Sequence, residues 1–200
     1  MVTSKARAYY ALVTRLRRAE LPFSSALPGS DLRGYDLVLT TTAEAERFGS
    51  RGVALEELDE NPGVFKGQIV SRLCGEDVIL VGIDPGKRTG LAVFYGQTKL
   101  AFNTFNSVAA VCSRVRAFAK GVPASRLLVR IGNGNRLMAS KLVTGLRRDV
   151  PGATLEVVDE AGTSAGSSKM KGVQRDQVAA AKIAFRKGEV VSDGMPRIHD

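Results

Sequence analysis

Carboxylates stand in this sequence where burial makes them most costly. A continuous apolar run, Val78 to Val81 with Ile83, reads as a strand buried on both faces, and it ends on Asp84 within VGIDPGKRTGLAVF. A carboxylate at the end of such a strand is unfavourable unless it is paired or binds a cation, and the strand's hydrogen bonds fix where it sits. In the last predicted helix Asp176, Ala179, Ala180 and Ile183 fall at i, i+3, i+4 and i+7, so a second acid lies on the small apolar stripe that packs on the sheet. A third source is Asp159-Glu160 at the end of LEVVDE; alternation sends the two to opposite faces, so one of them can join Asp84. Such a cluster, without histidine or cysteine, suits the hard cations Mg2+ or Mn2+, and two ions roughly 4 Å apart clamp a phosphodiester. The simpler readings are a turn aspartate accepting backbone amides for Asp84 and a helix-dipole aspartate for Asp176.

Cations flank these acids. Lys87, Arg88, Lys169, Lys171 and Arg175 are placed to take phosphates on either side of a scissile one, and the Gly/Ser loop AGTSAGSSKMKG suits a segment that orders when substrate arrives. GIDPGKRTG is not a phosphate-binding P-loop: three residues separate Gly82 from Gly86 where that motif needs four, and Arg88 follows Lys87 where a hydroxyl should stand. The one histidine, His199, lies next to the last residue, where backbone frays, which argues against a histidine-based triad or metal site. Cys74 and Cys112 form no metal-ligand spacing and are expected as reduced, buried thiols rather than zinc ligands.

The net charge of +9 is localised. Residues 1–76 hold ten Lys or Arg against ten Asp or Glu, whereas residues 77–200 hold nineteen against ten. An excess confined to one segment favours a polyanionic partner, DNA or RNA. An anionic membrane fits less well, because no helix joins a basic face to a bulky aromatic one. No stretch approaches the ~18 apolar residues that span a bilayer, and the start MVTSKARAYY lacks the apolar core of a secretory signal, so a cytoplasmic protein with no membrane partner is expected.

The elements that must position the acids follow from periodicity. Over residues 1–74 a helix with Tyr9, Leu12, Val13 and Leu16 on one face precedes a Pro/Gly/Ser loop, a strand YDLVLTT, a short helix opened by a Thr41/Glu44 capping box and stopped at Gly49, and a further helix. These make a small α/β domain of unknown role. From residue 75 to 200 a second domain begins with DVILVGID, TGLAVFYG and KLAFNTF, an antiparallel meander whose first connection, Asp84-Pro85-Gly86-Lys87, fits a type II turn and whose second is Gly96-Gln97. Ser107 caps the next helix; SRLLVRIG, a helix with Met138, Leu142 and Leu146 on one side, ATLEVVDE and the final helix complete the order βββαβαβα. That order implies an α/β fold with a mixed five-stranded sheet and helices on both faces.

GIDPGKRTGLAVF, VVDEAGTS and RDQVAAAKIAF, in this order, resemble the motifs of the RuvC/YqgF group of RNase H-like nucleases, which include Holliday junction resolvases and precursor-RNA nucleases. The resemblance covers about residues 77–188 and implies an RNase H-like sheet, Asp84, Glu160 and Asp176 as catalytic metal-binding acids, and Asp159 as the substitute for Glu160. It also implies two Mg2+ or Mn2+ ions, cleavage of branched DNA or folded RNA, and a homodimer where the substrate has two-fold symmetry. The turn after the fourth strand carries Asn133 and Asn135 where RuvC-type enzymes have a glutamate, and Ala161 replaces an arginine. Both asparagines then become nucleic-acid contacts, and the alternative is a module that binds nucleic acid or ribosomes without cutting. An actin-like nucleotide-binding fold ranks last, since it needs two such domains.

Overall fold

The computed structural model describes residues 1–159 and 172–191; Glu160, Lys169, Lys171 and His199 lie outside the described residues. The chain divides into two units, Met1–Gly75 with Gly121–Pro123, and Glu76–Lys120 with Ala124–Asp200.

In the first unit, helix α1 (Ala6–Arg18) has Arg15, Arg17 and Arg18 in its last turn, where the helix dipole favours cations. Of the expected face Leu12 and Leu16 are buried and Val13 half-buried, but Ala8 and not Tyr9 joins them, with Ala19 following: Tyr9 is 39% exposed and meets Tyr10 edge-on. Ala8, one residue before Tyr9, fills the first position of that face. Strand β1 (Val38–Thr40), helix α2 (Thr42–Ala45), strand β2 (Gly52–Ala54) and helix α3 (Pro62–Leu73) follow. The two strands pair in parallel, and Leu39, Val53, Phe65 and Ile69 share one core with α1. Asn61 caps α3 by accepting the Gly63 and Val64 amides. Cys74, expected to be buried, is exposed just beyond α3.

The expected capping box does not form. Thr41 donates its hydroxyl to Glu44 Oε2 at 2.8 Å instead of accepting a backbone amide. Glu44 is buried and also accepts the Thr3 hydroxyl (2.7 Å), the Ser4 amide (2.8 Å), the Ser4 hydroxyl (2.7 Å) and the Thr40 hydroxyl (3.0 Å). The bond from Thr3, and after it the one from the Ser4 amide, holds this carboxyl far below the ordinary carboxylate range. The helix ends at Ala45 and gives way to 3-10 turns over Glu46–Arg51, broken at Gly49 with φ 55°.

The second unit contains β3 (Val78–Asp84), β4 (Thr89–Tyr95), β5 (Thr98–Phe105), α4 (Val108–Gly121), β6 (Arg126–Gly132), α5 (Arg136–Asp149), β7 (Thr154–Val158), α6 (Val173–Ala184) and β8 (Glu189–Val190). The sheet runs β5-β4-β3-β6-β7-β8. It opens with the expected antiparallel meander, and β6 and β7 extend it in parallel with β3. It is a mixed sheet of six strands rather than five: β8 adds antiparallel to β7 through Glu156 and Val157, and two residues are too few to show a period in sequence. Gly96 has the positive φ, 54°, that a type II′ hairpin needs at its first central position. Gly86 does not, so the expected type II turn is absent; Asp84 already pairs with Gly90, and the reversal is spread over the four residues between β3 and β4.

Both faces of the sheet are covered. On one, Ala180 and Ala184 of α6 pack with Leu80, Ala92 and Phe94. On the other, Ile79, Val81, Ile83, Leu91, Val93, Val129 and Ile131 are at most 1% exposed, each such side chain contributing about 1.5–3 kcal/mol by burial. Helices α4 and α5 lie on that side, since Arg116 and Ala119 of α4 and Asp149 of α5 line one pocket with Ile79. Ser107 caps α4 by accepting the Ala110 amide at 3.2 Å. Within this layer Cys112 is buried, which pushes its thiol pKa up, and a Cβ at Gly145 would lie 2.8 Å from its Sγ.

Candidate functional site

Register decides where Asp84 points. It stands opposite Gly90 in the ladder, and Gly90 stands opposite Thr104. Directly opposed residues project to the same face, and Gly82, two residues before Asp84, shares it. That face carries α6. A Cβ at Gly82 would lie 2.6 Å from the Ala184 nitrogen and 2.8 Å from its Cβ, and one at Gly90 would run into the Asp176 carbonyl. The two glycines therefore let the helix backbone rest on the strands, which brings Asp176 beside the end of β3. Asp84 ends a central strand, where the chain leaves β3 towards β4 and β6 lies on the other side, and the Asp176 backbone lies over Gly90, the partner of Asp84 in the ladder. In open α/β sheets such a switch in strand order leaves a crevice that binds ligands.

The Asp176 side chain is only 16% exposed, and Arg88 Nε lies 3.6 Å from its Oδ2. Arg88 is 45% exposed, so the pair adds little stability. At its other end α6 is held by Arg130, whose Nη1 donates to the Ala184 carbonyl at 2.7 Å while Nε donates to Glu156 Oε2 at 2.8 Å. Glu156 also accepts the Gly188 amide at 3.1 Å, and both charged side chains are 15% exposed or less.

The other residues singled out in the sequence fall into separate groups. Asn133 Nδ2 donates to Asp159 Oδ1 at 3.3 Å, and the Asp159 carbonyl accepts from Arg186 Nη1 at 3.2 Å. Asn135 is turned to α5, where its side-chain oxygen caps the helix by accepting the Met138 amide at 3.0 Å. Lys87 and Arg175 are exposed. Glu160, Lys169 and Lys171 lie outside the described residues, and among the described residues no group of three or more His, Cys, Asp or Glu stands together as a metal site.

Sequence reasoning missed two residues. Arg130 had a signal, a lone cation inside a buried strand, which demands a partner. Thr104 had none until the register was known. Its Oγ1 is buried without a hydrogen-bond partner among the described residues, in the row that runs through Gly90 to Asp84. The two acids near this edge offer carboxylate oxygens, hard donors of the kind that Mg2+ and Mn2+ accept.

No family model and no curated protein matches this chain. Among solved structures it is similar to Marinitoga piezophila Argonaute in complex with a 5′ OH guide RNA, with a TM-score of 0.28 and 10% identity over 79% of this chain. The chain spans 38% of that Argonaute's length, and a likeness of this degree carries no argument about fold or activity.

Proposed function

We propose that the unit built on the six-stranded sheet is an RNase H-like, metal-dependent endonuclease that hydrolyses phosphodiesters in structured nucleic acid, branched DNA or folded RNA. The observation that supports this reading is that Asp84 ends a buried central strand and pairs with Gly90, over which the Asp176 backbone lies. In this reading Asp84, Asp176 and Glu160, with Asp159 as the substitute for Glu160, hold two Mg2+ or Mn2+ ions. Bound there, the ions supply Lewis acidity at the phosphorus and hydroxide at neutral pH. The chain does the rest. Lys87, Arg175, Lys169 and Lys171 bind phosphates beside the scissile one, and Arg88 exchanges Asp176 for a phosphate as substrate enters. Asn133 and Asn135 line the neighbouring turn, and a two-fold substrate would be cut by a homodimer.

The test is cleavage of four-way junctions and structured RNA in Mn2+ by the parent and by Asp84→Asn. The expected loss exceeds the ~10–100-fold cost of removing an outer-shell partner of a metal site. Cleavage unchanged by the substitution would overturn the assignment.

The Arg88–Asp176 pair favours a second reading, in which a cation already neutralises the site and the unit binds nucleic acid or ribosomes without cutting. Calorimetric titration separates the two: nucleic-acid binding retained with no uptake of Mn2+ supports the second.

A further inference from the structure

Aromatic rings gather at the far end of α6. Phe185, the residue on which the helix ends, is 52% exposed. Its ring centroid lies 4.8 Å from that of Phe94 at an interplanar angle of 66°, and Phe94 in turn meets Phe102 at 5.8 Å and 71°. Phe94 and Phe102 belong to β4 and β5, on the face that α6 covers. Contact with Phe94 holds Phe185 while leaving half of its surface in water.

The surroundings are cationic. Lys99 Nζ lies 5.5 Å from the centroid of Phe102, and Lys182 and Lys187 are exposed on either side of Phe185 in sequence. Arg175 and Lys182 recur at i and i+7, one line along the helix, and between Gly172 and Lys187 the only acid is Asp176. Phe185 lies nine positions after Asp176, about 13 Å at 1.5 Å per residue. That length corresponds to about four stacked nucleotide steps of 3.4 Å.

We infer that Phe185 is a stacking platform for an unpaired base of DNA or RNA, with Lys99, Lys182 and Lys187 taking the phosphates beside it. A ring half in water among cations suits a ligand that is planar and apolar on one side and anionic on the other, which a nucleotide strand is and an acidic peptide is not. The inference rests on the nuclease reading and deepens it: the substrate carries an unpaired segment about four nucleotides from the acids.

The sequence contains no tryptophan, so F185W installs a single reporter, and F23W, at a position 36% exposed in the other unit, serves as control. Binding is read in EDTA, without cleavage, on single-stranded DNA, single-stranded RNA and a duplex of equal length. F185W fluorescence is quenched by single strands and F23W fluorescence is not. Phe185→Leu, which keeps an apolar side chain and removes the π face, weakens single-strand affinity by about 5- to 150-fold and duplex affinity by about twofold or less. The tighter single strand names the nucleic acid. Unchanged single-strand affinity in Phe185→Leu, or equal losses on single strand and duplex, overturns the platform and leaves the nuclease reading in place. Cleavage indifferent to Asp84→Asn, beside a selective single-strand loss, overturns the nuclease reading and leaves the platform. A parent protein that binds no nucleic acid overturns both.

Discussion

Glu44 shows how a single buried charge can be kept without a cation. Its carboxylate accepts from three threonine hydroxyls and from the hydroxyl and amide of Ser4, all of them neutral donors. These bonds favour the ionised form, so the folded-state pKa lies below the ordinary value of 4.5. The stability they confer is complete above pH 4.5 and is lost as the pH falls below it, because the unfolded chain then binds the proton first. Glu44→Gln, which turns an amide NH2 towards hydroxyl and amide donors, is expected to cost about 1–3 kcal/mol at pH 7. Urea unfolding of parent and variant at pH 7 and pH 3 checks this, the gap narrowing at the lower pH. The sequence suggested a local cap because Thr41 and Glu44 have the right spacing; the deciding donors, Thr3 and Ser4, lie some forty residues away, where spacing carries no information.

At the scale of elements, α6 is positioned by what the strands lack. Gly82 and Gly90 admit its backbone, and Arg130 binds its last carbonyl while pairing with Glu156. Arg130→Met is expected to destabilise the protein by about 3–5 kcal/mol, since it strands the Glu156 carboxylate in a mostly buried site. Replacing both residues, with Glu156→Met added, should recover most of that loss in denaturant titrations. A double variant no more stable than the single one would show that the helix cap, not the stranded charge, dominates. That Asp176 lies on the packed side of α6 was legible from the 3.6-residue period that puts it on the alanine stripe, whereas the face taken by Asp84 follows only from the register. Three features were not legible in the same way. The type II turn failed because the return strand begins later than a four-residue turn implies, with Asp84 paired to Gly90 and not to Lys87. Tyr9 gives way in the core to Ala8, an alanine that hydrophobic periodicity undervalues, and β8 was too short to register.

For the molecule as a whole, charge is distributed by unit. If the polyanion reading holds, affinity for nucleic acid falls linearly with salt on logarithmic axes, and Arg175→Gln and Lys187→Gln each lower the slope by about one. Arg17→Gln and Arg47→Gln, at exposed positions in the balanced segment, should leave the slope unchanged in anisotropy titrations across salt. Equal effects from all four would show that the segregation of charge has no bearing on binding. This segregation was legible in the sequence by counting, whereas the contribution of the first unit was not, since no motif there points to a ligand. The six-stranded sheet also has two outer edges, and each is blunted. On one, β8 and the Val191 amide bonded to Leu155 occupy much of the row that β7 would otherwise present. On the other, β5 carries Lys99 and faces a register shift between Val93 and Phe94. An unblunted edge templates strand addition by neighbouring copies. If the polyanion reading holds, copies crowded along one strand meet at edges that offer little for strand addition.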